Sequence, residues 1–435
     1  MSVTQSRKVS IKRVSGGPVD ALSRWLDGAG EGDLLLVDFR LQQWWLPTPA
    51  DQPLVAIYRK RSGGDGYECT VTGPETQPVE DQLAAVGLCA WATQQGLPVF
   101  RPGQPLLLTP VCIPKPWGQE IWFTGAEERG LCRFSDGRYS LPIPWVQALF
   151  PREQAGSAEA PLVLLKILDP LPREVTGDLY FELHEKKREV YVVTHVDRSA
   201  WPDGVGGIRY GFDPVKLGEA GSEEEFRQHY LTAVQAYEVV RRQIDELPQG
   251  VAVDEVLQQS EAELREQMNA FTFMRELRVG DVVVVPLLMP HSLQHGVRTI
   301  EFQTPVYERQ ILSFAQKVLT QEHWDTTIAV SKMRLTPPDT DHFTALPAKS
   351  GVTIERIVDF PDFEVRRITL APGADLVVDC DDSYQLLMVV AGELSLAEAT
   401  LGPEQGALLP CGGHFPLAHR DPDEALVLLL AQPCR

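Results

Sequence analysis

"GDLYFELHEKKREVYVV", residues Gly177–Val193, alternates apolar and polar positions on either side of a charged turn. It therefore reads as two strands of a hairpin. Successive side chains on a strand point to opposite faces, so the step of two from Glu182 to His184 places a carboxylate and an imidazole on one face. Glu189 opens the second strand. Alone, the stretch is a charged hairpin in which Glu182, Glu185, Lys186, Lys187, Arg188 and Glu189 are solvated side chains. A second stretch, a hundred residues on, alters that reading.

In "GDVVVVPLLMPHSL", Gly280–Leu293, a β-branched run ends at Pro286 and is followed five residues later by His291. Together the two stretches resemble the paired signature of a cupin, a jelly-roll barrel that brings ligands from two distant strand pairs into its mouth. The first half of that signature is Gly, then His-x-His, three or four residues, and Glu; here Gly177 precedes Glu182-x-His184, four residues and Glu189. The second half is Gly, five residues, Pro-x-Gly, two residues and His, met by Gly280, Pro286 and His291. Glu182 replaces the first His. Leu288 replaces the second Gly, so a changed turn is expected there, and His295 is expected at the rim as a spare imidazole.

Glu182, His184, Glu189 and His291 form an oxygen- and nitrogen-rich set that suits Zn²⁺ and would also suit Mn²⁺ or Fe²⁺. Two carboxylates would leave such a site formally neutral around a divalent ion, which lowers its Lewis acidity.

The rest of the 435 residues divides into three regions. Residues 1–104 show strand-like "DLLLVDF" and "LVAIYRK" and a helix-like "PVEDQLAAVGLCAWATQQG", an α/β region with no chemical motif. Residues 105–330 carry the two metal half-motifs on a β pattern. A helical insertion interrupts it at about 222–274, opened by a capping box at Ser222 and Glu225. Phe226, Tyr230, Ala233, Tyr237, Val240, Ile244 and Leu247 recur there at helical spacing, and a second helix is expected over Val253–Ala270. Residues 331–435 return to short strands. The predicted fold is mainly β with α insertions: two cupin barrels, the first with a helical insertion, and the extra N-terminal region.

Sixty acidic against 40 basic residues give a formal net charge of −20, which repels nucleic-acid phosphates and anionic membranes at long range. Neither is an expected partner. The longest apolar runs fall well short of the roughly 20 residues of a membrane span, and "MSVTQSRKVSIKRV" lacks a leader's apolar core. A cytoplasmic protein is expected. Seven cysteines without a CxxC pair read as reduced structural thiols.

Across about Pro105–Arg435 the order of motifs resembles the type I phosphomannose isomerases, zinc cupins that interconvert mannose 6-phosphate and fructose 6-phosphate. "PKPWGQEIWF" is similar to that family's Trp-Gly segment, and "PLVLLKILDP" to its "LFKVL" strand. "FELH" stands for "QVHP", "KKREVYVV" for "KTEMWYIL", and "TIEFQ" for "LLEIQ". The resemblance implies metal ligands at Glu182, His184, Glu189 and His291. It also implies active-site residues at Lys166, Lys187 and Glu301; the chemistry of such a reaction needs a proton shuttle, a role expected of Glu301, and cations for the phosphate, a role open to Lys166, Lys187 and Arg309. The family's catalytic Arg aligns with Ile311, so Arg309 serves only if the register shifts. The implied substrate is a small sugar phosphate and the implied reaction an aldose–ketose isomerisation. The alternative is a metal cupin without isomerase chemistry that binds a sugar or regulates. In the last region Gln385, Val378, Cys380 and Phe415 stand at the ligand positions, so that barrel is expected to be metal-free.

Overall fold

A computed structural model describes residues 9–61, 66–248, 250–318, 324–337, 343–419, 421 and 423–434. The first eight residues, read above as no leader, lie outside this set. The chain is mainly β and divides into two compact units. These units do not coincide with boundaries at residues 104 and 330. One comprises Met1–Val111, Trp122–Leu164 and Phe343–Arg435, the other Cys112–Ile121 and Leu165–His342. The departure begins at Leu106–Thr109. That strand pairs with Gly406–Leu409 through Ala407↔Leu107, which ties it to the C-terminal sheet by backbone bonds that local sequence does not announce.

The second unit holds both metal half-motifs on two sheets. The six-stranded sheet runs in the order Val282–Val285, Glu189–Val196, Val297–Gln303, Leu164–Pro170, Gly118–Trp122 and Val111–Lys115. The five-stranded sheet runs Thr272–Leu277, Gly206–Phe212, His291–Leu293, Phe181–Leu183 and Gln310–Ser313. One buried cluster takes Tyr191, Val193, Val283 and Val285 from the first sheet and Leu183, Ile208, Tyr210 and Leu293 from the second. Alternation along each strand sends one set of side chains into this core. Glu189 and His291 share the parity of core residues on their strands, Tyr191 and Leu293, whereas Glu182 and His184 alternate with the core residues Phe181 and Leu183.

The helical insertion forms as Glu223–Asp245 and Glu255–Asn269. Ser222 Oγ accepts the Glu225 amide at 3.2 Å, and Asp254 caps the second helix, leaving it shorter than Val253–Ala270 by two residues at its start and one at its end. Phe226, Tyr230, Val234 and Tyr237 are buried. Val234 takes the place expected for Ala233, because steps of four, four and three follow the 3.6-residue turn as well as the expected register and bury the larger side chain.

Gly118 shows what the second unit demands of its backbone. Its φ is +147°, and a Cβ there would meet the Asp169 carbonyl oxygen at 2.2 Å and Pro170 Cα at 3.0 Å. These are backbone atoms of the neighbouring strand and cannot step aside singly. Gly118→Ala is expected to lower unfolding stability by about 2 kcal/mol or more, read as a reduced urea midpoint at unchanged m.

In the first unit the strands of residues 11–72 form a four-stranded sheet with one parallel pair, Ile11–Ser15 on Leu34–Gln42. Leu34, Leu36, Val55 and Ile57 pack there with Leu83, Leu88 and Trp91. A nine-stranded and a four-stranded sheet share a further core that includes Leu387, Val389, Leu428, Leu396 and Leu417. Among the described residues no helix is long and apolar enough to cross a membrane.

Candidate metal centre

Strand pairing brings the two half-motifs together. Glu182 lies directly opposite His291 across the Phe181–Leu183 and His291–Leu293 strands, and His184 follows Glu182 on the same face. Glu182, His184 and His291 offer ligand atoms that all lie within 4.8 Å of one another. Glu189 touches two members of this trio, its Oε1 being 3.5 Å from His184 Nε2 and its Oε2 3.0 Å from His291 Nε2. It also binds Lys187 Nζ at 2.6 Å and accepts the Tyr191 hydroxyl at 2.7 Å.

The tautomers follow from the partners of the far ring nitrogens. His184 Nδ1 lies 2.9 Å from the Glu308 carbonyl oxygen and His291 Nδ1 lies 3.0 Å from that of Met289. A carbonyl only accepts, so each Nδ1 carries the hydrogen. In a neutral His184 ring Nε2 then presents a lone pair, which faces Glu182 Oε1 at 3.7 Å and Glu189 Oε1 at 3.5 Å, while His291 Nε2 lies 3.0 Å from Glu189 Oε2. Burial holds the His184 pKa well below its ordinary value, helped by the Lys187 charge and opposed by that of Glu189. His184 is therefore neutral at pH 7. Lone pairs facing carboxylate oxygens repel unless a cation stands between them. His184 Nε2 and Glu182 Oε2 are buried and have no hydrogen-bond partner, an arrangement that is costly unless a ligand completes it. Two imidazoles and carboxylate oxygen fit a zinc-type ion; no thiol belongs to the cluster.

The turn that carries His291 has Leu288 in the place expected for glycine. Leu288 adopts φ +66°, its N–H donates to the His184 carbonyl at 2.7 Å, and its own carbonyl accepts the Arg334 amide at 2.8 Å. These bonds hold the left-handed conformation although a β-carbon there costs about 1–2 kcal/mol. His295 does not join the cluster. Its Nδ1 sits 2.7 Å from Asp178 Oδ1, and its ring stacks on Trp201 with centroids 4.9 Å apart. An acidic neighbour and an indole face are available nearby, so this imidazole packs instead of lining a rim.

Lys166 and Glu301 form a buried pair, with Nζ 3.4 Å from Oε2. Burial lowers the Lys166 pKa, but the charges of Glu301, Glu120, Glu189 and Glu182 outweigh it and hold the ammonium above its ordinary value. Burial raises Glu301 well above the ordinary carboxylate range; Lys166 opposes this and Glu189 adds to it. Neither Glu301 oxygen has a hydrogen-bond partner. Ile311 is fully buried in the strand beside Glu182, whereas the Arg309 guanidinium lies 4.4 Å from the Tyr180 ring centroid and its Nε lies 4.0 Å from Glu182 Oε2.

Three groups at the site were not read from the sequence. Tyr191 follows Glu189 by two, the strand step that signals a shared face. Glu120 stands close enough to act on Lys166, Glu301 and Arg309. Glu308 has no local signal at all. Its carbonyl fixes His184, and its Oε2 accepts the amides of Glu185 at 2.9 Å and Lys186 at 3.0 Å. Glu308→Ala, which leaves the carbonyl but releases the turn, is expected to weaken zinc binding about tenfold in a chelator competition.

A mainly β fold with a Glu/His/His cluster between two sheets is the class these observations define. No protein-family description and no curated protein matches the sequence. Among solved structures, the mannose 6-phosphate isomerase of Bacillus subtilis is similar over 76% of this chain and 99% of its own, with 16% identity and a TM-score of 0.55. A zinc-bound mannose 6-phosphate isomerase is similar over 76% and 100%, at 12% identity and a TM-score of 0.55. A variant of the phosphomannose isomerase of Salmonella typhimurium is similar over 75% and 99%, at 13% and 0.54. The chain shares their fold.

Proposed function

We propose that this chain is a divalent-metal-dependent aldose–ketose isomerase of a phosphorylated sugar, with mannose 6-phosphate the first substrate to test. The observation that carries the reading is the cluster of Glu182, His184 and His291, whose ligand atoms all lie within 4.8 Å of one another, beside a buried Lys166–Glu301 pair. A divalent ion held by Glu182, His184, Glu189 and His291 would supply positive charge opposite the negative oxygen of a cis-enediol.

The chain's own groups supply the rest. Glu301 carries the proton between C1 and C2, and burial keeps its carboxyl well above the ordinary range, toward the pH at which such a group both takes and returns a proton. Lys166 sets that balance from 3.4 Å. Lys166, Lys187 and Arg309 offer positive charge to the phosphate, Arg309 with its fork set by the Tyr180 face.

A coupled assay of metal-loaded protein with mannose 6-phosphate tests the reading. Turnover is expected; none across a panel of hexose and pentose phosphates would remove it. The buried Ile311 at the position of the family arginine favours a second reading, a metal cupin that binds a sugar without isomerising it. Retained metal and bound sugar without turnover would be its signature.

A further inference from the structure

Glu189 is the most heavily engaged carboxylate of the cluster. Its Oε1 holds Lys187 Nζ at 2.6 Å and its Oε2 holds the Tyr191 hydroxyl at 2.7 Å. Lys187 is 8% exposed, so this contact is made by a largely buried side chain. The other cations of the site are paired too: Lys166 with Glu301 at 3.4 Å, Lys115 with Glu120 at 3.4 Å, and Arg309 with Glu182 at 4.0 Å. An anionic ligand can therefore recruit a cation here only by loosening one of these pairs. Lys187 is the one held at full hydrogen-bond distance by a carboxylate that also faces both imidazoles.

An ammonium and a divalent ion are drawn to the same oxygen, and they repel each other. We propose that Lys187 occupies the cation position at Glu189 Oε1 and is released from it when a divalent ion binds, so that metal loading frees this ammonium for an anionic group in the cleft. The inference rests on reading the cluster as a metal site. It makes Lys187 an antagonist of metal binding. By linkage it also makes the metal a promoter of anion binding, since each ligand changes the other's affinity by the same factor.

The test is a zinc titration, against a competing chelator, of metal-stripped full-length wild type, Lys187→Met, Lys187→Arg and Lys166→Met, each checked for folding by near-UV circular dichroism. Lys187→Met should bind zinc about tenfold tighter than wild type, with a smaller shift for Lys166→Met, whose partner is Glu301. Lys187→Arg keeps the charge and should stay near wild type. Lys187→Gln replaces the Met variant if that one does not fold. Wild type that binds zinc while the neutral variants bind no tighter overturns the exchange at Glu189 and leaves the metal site standing. Wild type that binds no zinc overturns the metal reading itself, and the exchange with it.

Discussion

His291→Ala is expected to purify without metal, to bind zinc about a thousandfold more weakly, and to lose measurable isomerase activity. The expectation follows from where the ring sits. His291 faces Glu182 across one strand pair, and its Nε2 lies 3.0 Å from Glu189. Removing it takes one of the cluster's two nitrogen donors and leaves only His184 with carboxylate oxygens, a set much less suited to a zinc-type ion. The structural loss is smaller. One buried hydrogen bond, Nδ1–H to the Met289 carbonyl, goes with the ring and costs about 1 kcal/mol. His295→Ala is the control, because this imidazole lies four residues on but is held by Asp178 and Trp201 outside the cluster. It should lose stability and keep its metal. Full zinc content in His291→Ala by atomic absorption would sink the ligand assignment.

What the sequence shows of this site is what strand alternation encodes. Glu182 and His184 share a face because side chains alternate, and Pro286 to His291 spans one turn. These local rules place four groups that the structure brings into contact. The helical insertion was legible for the same reason, since Ser222 and the aromatic stripe are short-range signals. Glu308 was not, because it acts through backbone atoms about 120 residues away. The unit boundaries were not, because the pairing of Leu106–Thr109 with Gly406–Leu409 joins strands 300 residues apart. Leu288 marks a third limit. A changed turn was expected where Leu288 stands for glycine; the bonds that Leu288 makes to His184 and Arg334 hold a leucine at φ +66°, a left-handed conformation that favours glycine.

Glu301→Gln should separate chemistry from metal binding. Glu301 is fully buried opposite Tyr191, outside the trio of candidate ligand residues, and both its oxygens lack hydrogen-bond partners. The amide matches its shape, so the packing around it survives. A group that only stabilised the fold would leave turnover nearly intact after this change. A proton shuttle would not, because an amide neither accepts nor returns a proton at neutral pH, and kcat should fall about 10³-fold. Zinc content and KM should stay close to wild type, since Lys166 loses its charged partner but keeps its own charge. The wild-type pH profile carries a second, independent expectation. Burial raises the Glu301 pKa, so the protonated form persists above the ordinary carboxylate range, and the acidic limb of kcat should lie above that range. As pH falls through the raised pKa the base form is lost, and activity falls with it. A Glu301→Gln protein that turns over at more than a tenth of the wild-type rate would move the shuttle to another residue, and Glu120, which acts on the same lysine, would be the next to substitute.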